Sequence, residues 1–94
     1  MTILEAQSLI VHVILSDETH LRKVEDELWK YGEIIAQNYL RARDNHQRLQ
    51  IKSANYLVLV QKENLVKFYE TCRDLNNSGT VFLTVESPWL GVEP

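Results

Sequence analysis

Residues 33–52 read EIIAQNYLRARDNHQRLQIK, and the fold turns on whether they form two strands or one helix. As a strand, residues 34–43 put Ile34, Ala36, Asn38, Leu40 and Ala42 on one face and Ile35, Gln37, Tyr39, Arg41 and Arg43 on the other. As a helix, Ile35, Tyr39, Ala42, His46 and Leu49 share a stripe, among residues that favour helix. The flanks favour strands. Gly32 offers a left-handed stop to a preceding helix, ahead of Glu33, Ile34 and Ile35, as an αβ connection requires, and Asp44 with Asn45 stands where a hairpin would turn. A helix over 33–52 is the alternative, and it would dismantle the fold that follows.

Upstream, residues 9–15 alternate Leu9, Val11, Val13 and Leu15 with Ile10, His12 and Ile14, the pattern of a central strand covered on both faces. Ser16 and Asp17 can cap a helix, whose stripe is Leu21, Val24, Leu28 and Tyr31. Downstream, residues 56–61 are apolar and rich in strand formers; residues 49–52 can begin the same strand, with Ser53 and Ala54 as a place for a bulge. A second helix over 62–75 has the stripe Leu65, Phe68, Cys72 and Leu75, with Val66 and Tyr69 beside it. Asn76, Asn77, Ser78 and Gly79 break it, residues 81–85 form the last strand, and Ser87 with Pro88 ends that strand. The order β-α-β-β-α-β with right-handed crossovers predicts an α+β, ferredoxin-like domain: an antiparallel four-stranded sheet with both helices on one face. Residues 1–94 read as one such domain, with 87–94 as a C-terminal tail carrying Trp89.

Composition agrees with a small globular chain. Its 94 residues are 45% hydrophobic, 24% charged and 9% aromatic, and a chain of this size can bury roughly 65% of its unfolded surface. The longest apolar run is seven residues, 9–15, interrupted by His12, far short of the ~20 that span a bilayer. No leader-like segment opens the sequence, and the single Cys72 offers no internal disulfide, so a cytoplasmic location is expected. The net charge of −3 disfavours a general nucleic-acid binder. Residues 39–52, however, hold Arg41, Arg43, Arg48 and Lys52 against Asp44, a local +3 that leaves −6 on the remainder.

Four local features carry a resemblance: residues 9–18, where the first strand runs into an acidic helix start; Tyr31 to Ile35, where a helix stops and a strand begins; the strand-to-helix passage 56–69; and the Gly79 turn into residues 81–85. In these the chain resembles the small PII signalling proteins and their CutA and PII-like relatives. The resemblance implies a ferredoxin-like regulatory protein that oligomerises through its sheet. A PII-type chain would also carry a long loop between its second and third strands and a Gly-Lys-rich nucleotide-binding segment before the last. Here the first is a short connection around residues 44–46, and residues 76–80 lack the basic residue, so nucleotide binding is not carried over.

No catalytic set is apparent. Cys72 sits on an apolar stripe and reads as a core thiol, and His12, His20 and His46 show no metal-ligand spacing, so neither a metal nor another cofactor is expected. The strongest constellation is the basic hairpin. With residues 44–47 as a four-residue loop, Arg43 faces Arg48, Arg41 faces Gln50, and Tyr39 lies near Lys52. Facing cations cost ~0.2–1 kcal/mol per pair, and an anion would relieve them. Arg41, Arg43, His46, Arg48 and Lys52 are therefore the expected anion- or partner-binding residues; a hairpin merely kept soluble by charge is the plainer alternative. The second face of the sheet is expected to expose a mixed surface including Ile10, His12, Ile14, Ile35, Tyr39, Tyr56 and Val58, with His12, Tyr39, Tyr56 and Trp89 as interface residues. The function expected is a non-catalytic, homo-oligomeric (dimeric or trimeric) regulatory or protein-interaction module. A nucleic-acid-binding module using the 39–52 hairpin, with Tyr39 or Tyr56 stacking a base, is the second reading, and a small dimeric α/β-barrel enzyme around His12 is the third.

Overall fold

A computed structural model describes residues 6–87. Strand β1 is Ala6–Leu15, followed by a 3₁₀ turn at Glu18–His20 and helix α1, Leu21–Tyr31. Strands β2, Glu33–Arg43, and β3, Leu49–Gln61, form a hairpin. A 3₁₀ turn at Lys62–Asn64 leads into helix α2, Leu65–Asn77, and strand β4 is Val81–Glu86. Residues 33–52 are thus two strands with a turn. The sheet order is β2-β3-β1-β4 and every pair is antiparallel, the ferredoxin-like arrangement with both helices on one face.

The core lies between helices and sheet. Leu9, Val11, Val13 and Leu15 of β1, Ala54, Tyr56, Val58 and Val60 of β3, and Val81 and Leu83 of β4 point to the helices, where they meet Val24 and Leu28 of α1 and Phe68, Cys72 and Leu75 of α2. Both helical stripes sit where their spacing put them, because positions i, i+3, i+4 and i+7 share a face. The Asp17 carboxylate accepts a hydrogen bond from the Thr19 N–H at 2.9 Å and caps the turn before α1. That bond is the main reason the Asp17 carboxyl is held below the usual carboxylate range.

Gly32 departs from the expectation of a left-handed stop. Its φ is −148°, ordinary extended backbone. Close packing requires the glycine instead: a Cβ there would come within 2.6 Å of Val58 Cγ1 and crowd Val60 and Phe68. Among the described residues the left-handed ones are Gln47 and Gly79, each in a turn.

Two irregularities shape the β2–β3 ladder, one at Ile35 and one at Lys52. Each inserts one residue and so reverses which face the following side chains take. After the first, Ile34 and Tyr39 both pack toward the core although they are five positions apart, an odd offset that would put them on opposite faces of a regular strand. The second falls beside the expected bulge at Ser53 and Ala54. There the Ile51 N–H donates to the Glu18 carboxylate at 2.7 Å, which fastens β3 to the turn before α1.

Candidate functional site

The helix-free face of the sheet is built in rows, because opposed residues of neighbouring strands point the same way. One row crosses all four strands as Leu40, Ser53, Ile14 and Phe82. The next is Asn38, Asn55, His12 and Thr84, and the one after it is Ala36, Leu57, Ile10 and Glu86. A polar row therefore lies between two rows that are largely apolar. Leu40, Ile14 and Phe82 remain 65%, 47% and 59% exposed, three large apolar side chains open to solvent along one row. A shallow hollow of about 300 Å³ opens where Ala36 leaves space beside Ile10, Asn38, Asn55 and Leu57.

His12 stands in the polar row. Its Nδ1 lies 2.5 Å from Asn55 Oδ1. A carboxamide oxygen only accepts, so Nδ1 carries the hydrogen and the neutral ring keeps its lone pair on Nε2.

Ile10, His12 and Ile14 are on this face as expected, but Tyr39, Tyr56 and Val58 are not. Tyr56 pairs with Val11 and Val58 with Leu9, so both point to the helices; Tyr56 is 1% exposed and Val58 is fully buried. Tyr39 packs on the same side. Both phenols donate to Glu25 Oε2 of α1, Tyr39 at 2.5 Å and Tyr56 at 2.8 Å, and their rings meet edge to face with centroids 6.4 Å apart. Burial first, then the carboxylate they bind, pushes the Tyr39 phenol up to about 12 and drives the Tyr56 phenol higher still. This three-residue clamp fixes α1 to the sheet and removes both rings from any role in stacking a base. In residues 56–61 both faces are apolar, so nothing in the alternation distinguishes the covered one. The clue was Asn55, which cannot be buried without a partner.

The hairpin also differs in register. Its loop is residues 44–48, five rather than four, so Arg43 faces Leu49 and Arg41 faces Ile51. The expected repulsion between facing cations is absent from these pairs. Asp44 sets the loop length: Oδ1 accepts from the His46 and Arg48 N–H groups at 2.8 and 2.9 Å, and Oδ2 accepts from Arg48 Nε at 3.0 Å and Gln50 Nε2 at 3.3 Å. These donors, the Arg48 backbone foremost, hold the Asp44 carboxyl below its usual range. Arg43 donates to the Gln47 carbonyl at 2.7 Å, and the Arg41 guanidinium lies 5.9 Å from the Tyr39 ring centre. Beyond the Ser53–Ile14 pair only β2 and β3 continue, so Arg41, Arg43, His46 and Arg48 lie on a projecting two-stranded ribbon, with Lys52 at its base.

Trp89 lies outside the described residues. Cys72 is buried in the core, and desolvation pushes its thiol up to about 12, away from the thiolate that nucleophilic chemistry needs. Among the described residues no three His, Cys, Asp or Glu side chains are grouped to hold a metal ion, and no helix is long and apolar enough to cross a membrane.

No protein-family model and no curated protein matches the chain. Solved structures do. A protein of unknown function from Galdieria sulphuraria superimposes with a TM-score of 0.71 at 10% identity, over 88% of this chain and 50% of the other, so this chain spans half the length of that protein. An uncharacterized protein of Thermotoga maritima matches with a TM-score of 0.53 at 12% identity, over 89% of this chain and 99% of that one. A nitrogen regulatory PII-like protein from Thiomonas intermedia, bound to ADP, AMP and bicarbonate, matches with a TM-score of 0.52 at 12% identity, over 86% and 88%. At such identities the likeness is one of fold: the chain has a ferredoxin-like α+β fold that weakly resembles the PII-like regulatory proteins, and no specific family can be assigned to it.

Proposed function

We propose that this domain is a non-catalytic regulatory or protein-interaction module that works as a homo-oligomer, a second copy of the chain covering the helix-free sheet face. The observation that carries this reading is the line of exposed Leu40, Ile14 and Phe82 on a face that neither helix covers. Three rows over four strands measure roughly 20 by 20 Å, about 400 Å² in projection, about half of the ~800 Å² per partner of a standard-size interface. The fold it shares with a PII-like regulatory protein supports the regulatory half of the reading. On the same reading the ribbon, with Arg41, Arg43, His46, Arg48 and Lys52, meets an acidic surface of a further protein partner.

Sedimentation equilibrium of the wild type and of Ile14→Lys tests it. The wild type should associate at tens of micromolar, and the variant should be monomeric with an unchanged far-ultraviolet circular dichroism spectrum, because Ile14 points away from the core. A monomeric wild type, or a variant that associates equally well, would exclude this face as the contact.

A further inference from the structure

We propose that the self-association is a two-fold pairing of sheet faces with His12 at its centre, and that protonation of His12 releases it; this rests on the self-association reading above. The bands on the face run apolar, polar, apolar. A two-fold axis that runs along the polar row, or one parallel to the strands, returns the polar row onto the polar row and sets apolar rows together. His12 therefore meets the partner's polar row in either orientation. The neutral ring suits that place. Nδ1–H is occupied by Asn55, and Nε2 can accept from an amide or hydroxyl donor of the opposing row, which holds Asn38, Asn55 and Thr84.

Protonation converts Nε2 from acceptor to donor and places one positive charge per copy between the Ile10, Leu57 and Ile14, Leu40, Phe82 rows, away from water. The separated monomers leave the same imidazolium hydrated. The groups around His12 do not offset this. Asn55 of β3, Thr84 of β4 and Asn38 of β2 are uncharged, and Ile10 and Ile14 flank it on its own strand. Glu86 is the charged residue on this face of β4; it is the last residue of an edge strand, one row from His12, and so stands at the corner of the paired faces where water still reaches it. Lys52 sits at the bulge beyond Ser53, His20 is in the turn before α1, and His46 is at the ribbon tip.

Sedimentation equilibrium near pH 8 and near pH 5.5 brackets imidazole titration. The wild type should be dimeric at the higher pH, with a dissociation constant at least tenfold weaker at the lower, while His12→Gln, which can still donate to Asn55, should associate equally at both. An independent reading needs no variant: the proton NMR titration midpoint of the His12 ring should move to lower pH as protein concentration rises. A wild type equally dimeric at both pH values, a His12→Gln protein that loses association to the same degree, or a midpoint indifferent to concentration would overturn the proton switch while leaving the self-association intact. A trimer near pH 8 would overturn the two-fold pairing, and a monomer there would overturn the self-association reading itself.

Discussion

The residue that most changes the picture is Glu25, which lies off the apolar stripe of α1 and is the acceptor of two phenols. Both phenols ionise less readily in the folded chain than in the unfolded one, where a tyrosine titrates near pH 10. The sign follows from linkage. Above pH 10 the unfolded chain loses these protons first, so the stabilisation is complete below about pH 10 and is lost as pH rises through about 12 for Tyr39 and higher for Tyr56. We expect the urea midpoint to fall across pH 10 to 12, and to fall less in a Tyr39→Phe, Tyr56→Phe double variant. Equal falls would mean that the clamp does not form. Neither this clamp nor the packing role of Gly32 was legible beforehand, because both depend on which atoms of distant elements meet. A glycine needed for room looks, in sequence, the same as one needed for a left-handed turn.

At the scale of elements, four strands and two helices were legible because their apolar spacing is strong; the faces of β2 and β3 were not. Alternation identifies a covered face only where the other face is polar, as at β1 around His12, and single-residue bulges at Ile35 and Lys52 shift the phase invisibly. The hairpin register failed for a related reason, since Asp44 gathers its donors into a five-residue loop, one residue longer than the four expected. Asn76, expected to break the second helix, instead lies in the last turn of α2. Asn76 Nδ2 donates to the Leu83 carbonyl and Asn76 Oδ1 accepts from the Leu83 N–H, both at 2.6 Å, so one amide occupies the free edge of β4. Edge strands left open invite pairing with other chains. Asn76→Ala should destabilise the domain by about 1–3 kcal/mol, a fall of several degrees in melting temperature for a domain this small. Thioflavin-reactive aggregation on warming should begin earlier. An unchanged melting curve and unchanged aggregation would show that water serves Leu83 equally well.

Over the whole molecule, the chain extends 49 Å along its longest axis and 26 and 20 Å along the others, and the β2–β3 ribbon follows the long strands past the end of β1. Sequence located the net +3 of residues 39–52 but could not show that it projects, since projection depends on where β1 stops pairing relative to β3. The end of the ribbon contributes nothing to the buried core: no core residue falls between 43 and 49. Body and ribbon should therefore separate experimentally. Replacing residues 43–49 by Asn-Gly keeps the Ala42–Gln50 pair and closes it with a two-residue turn of the favoured hairpin type. The shortened chain should melt within a few degrees of the wild type and associate through the sheet face as before. The wild type should bind poly-glutamate, used as an acidic probe, at low salt and release it as salt screens the arginines, and the shortened chain should not bind it. Retained poly-glutamate binding would remove Arg43, His46 and Arg48 from the partner site. Lost association would mean that the ribbon, and not the face bearing Leu40, Ile14 and Phe82, holds two copies together.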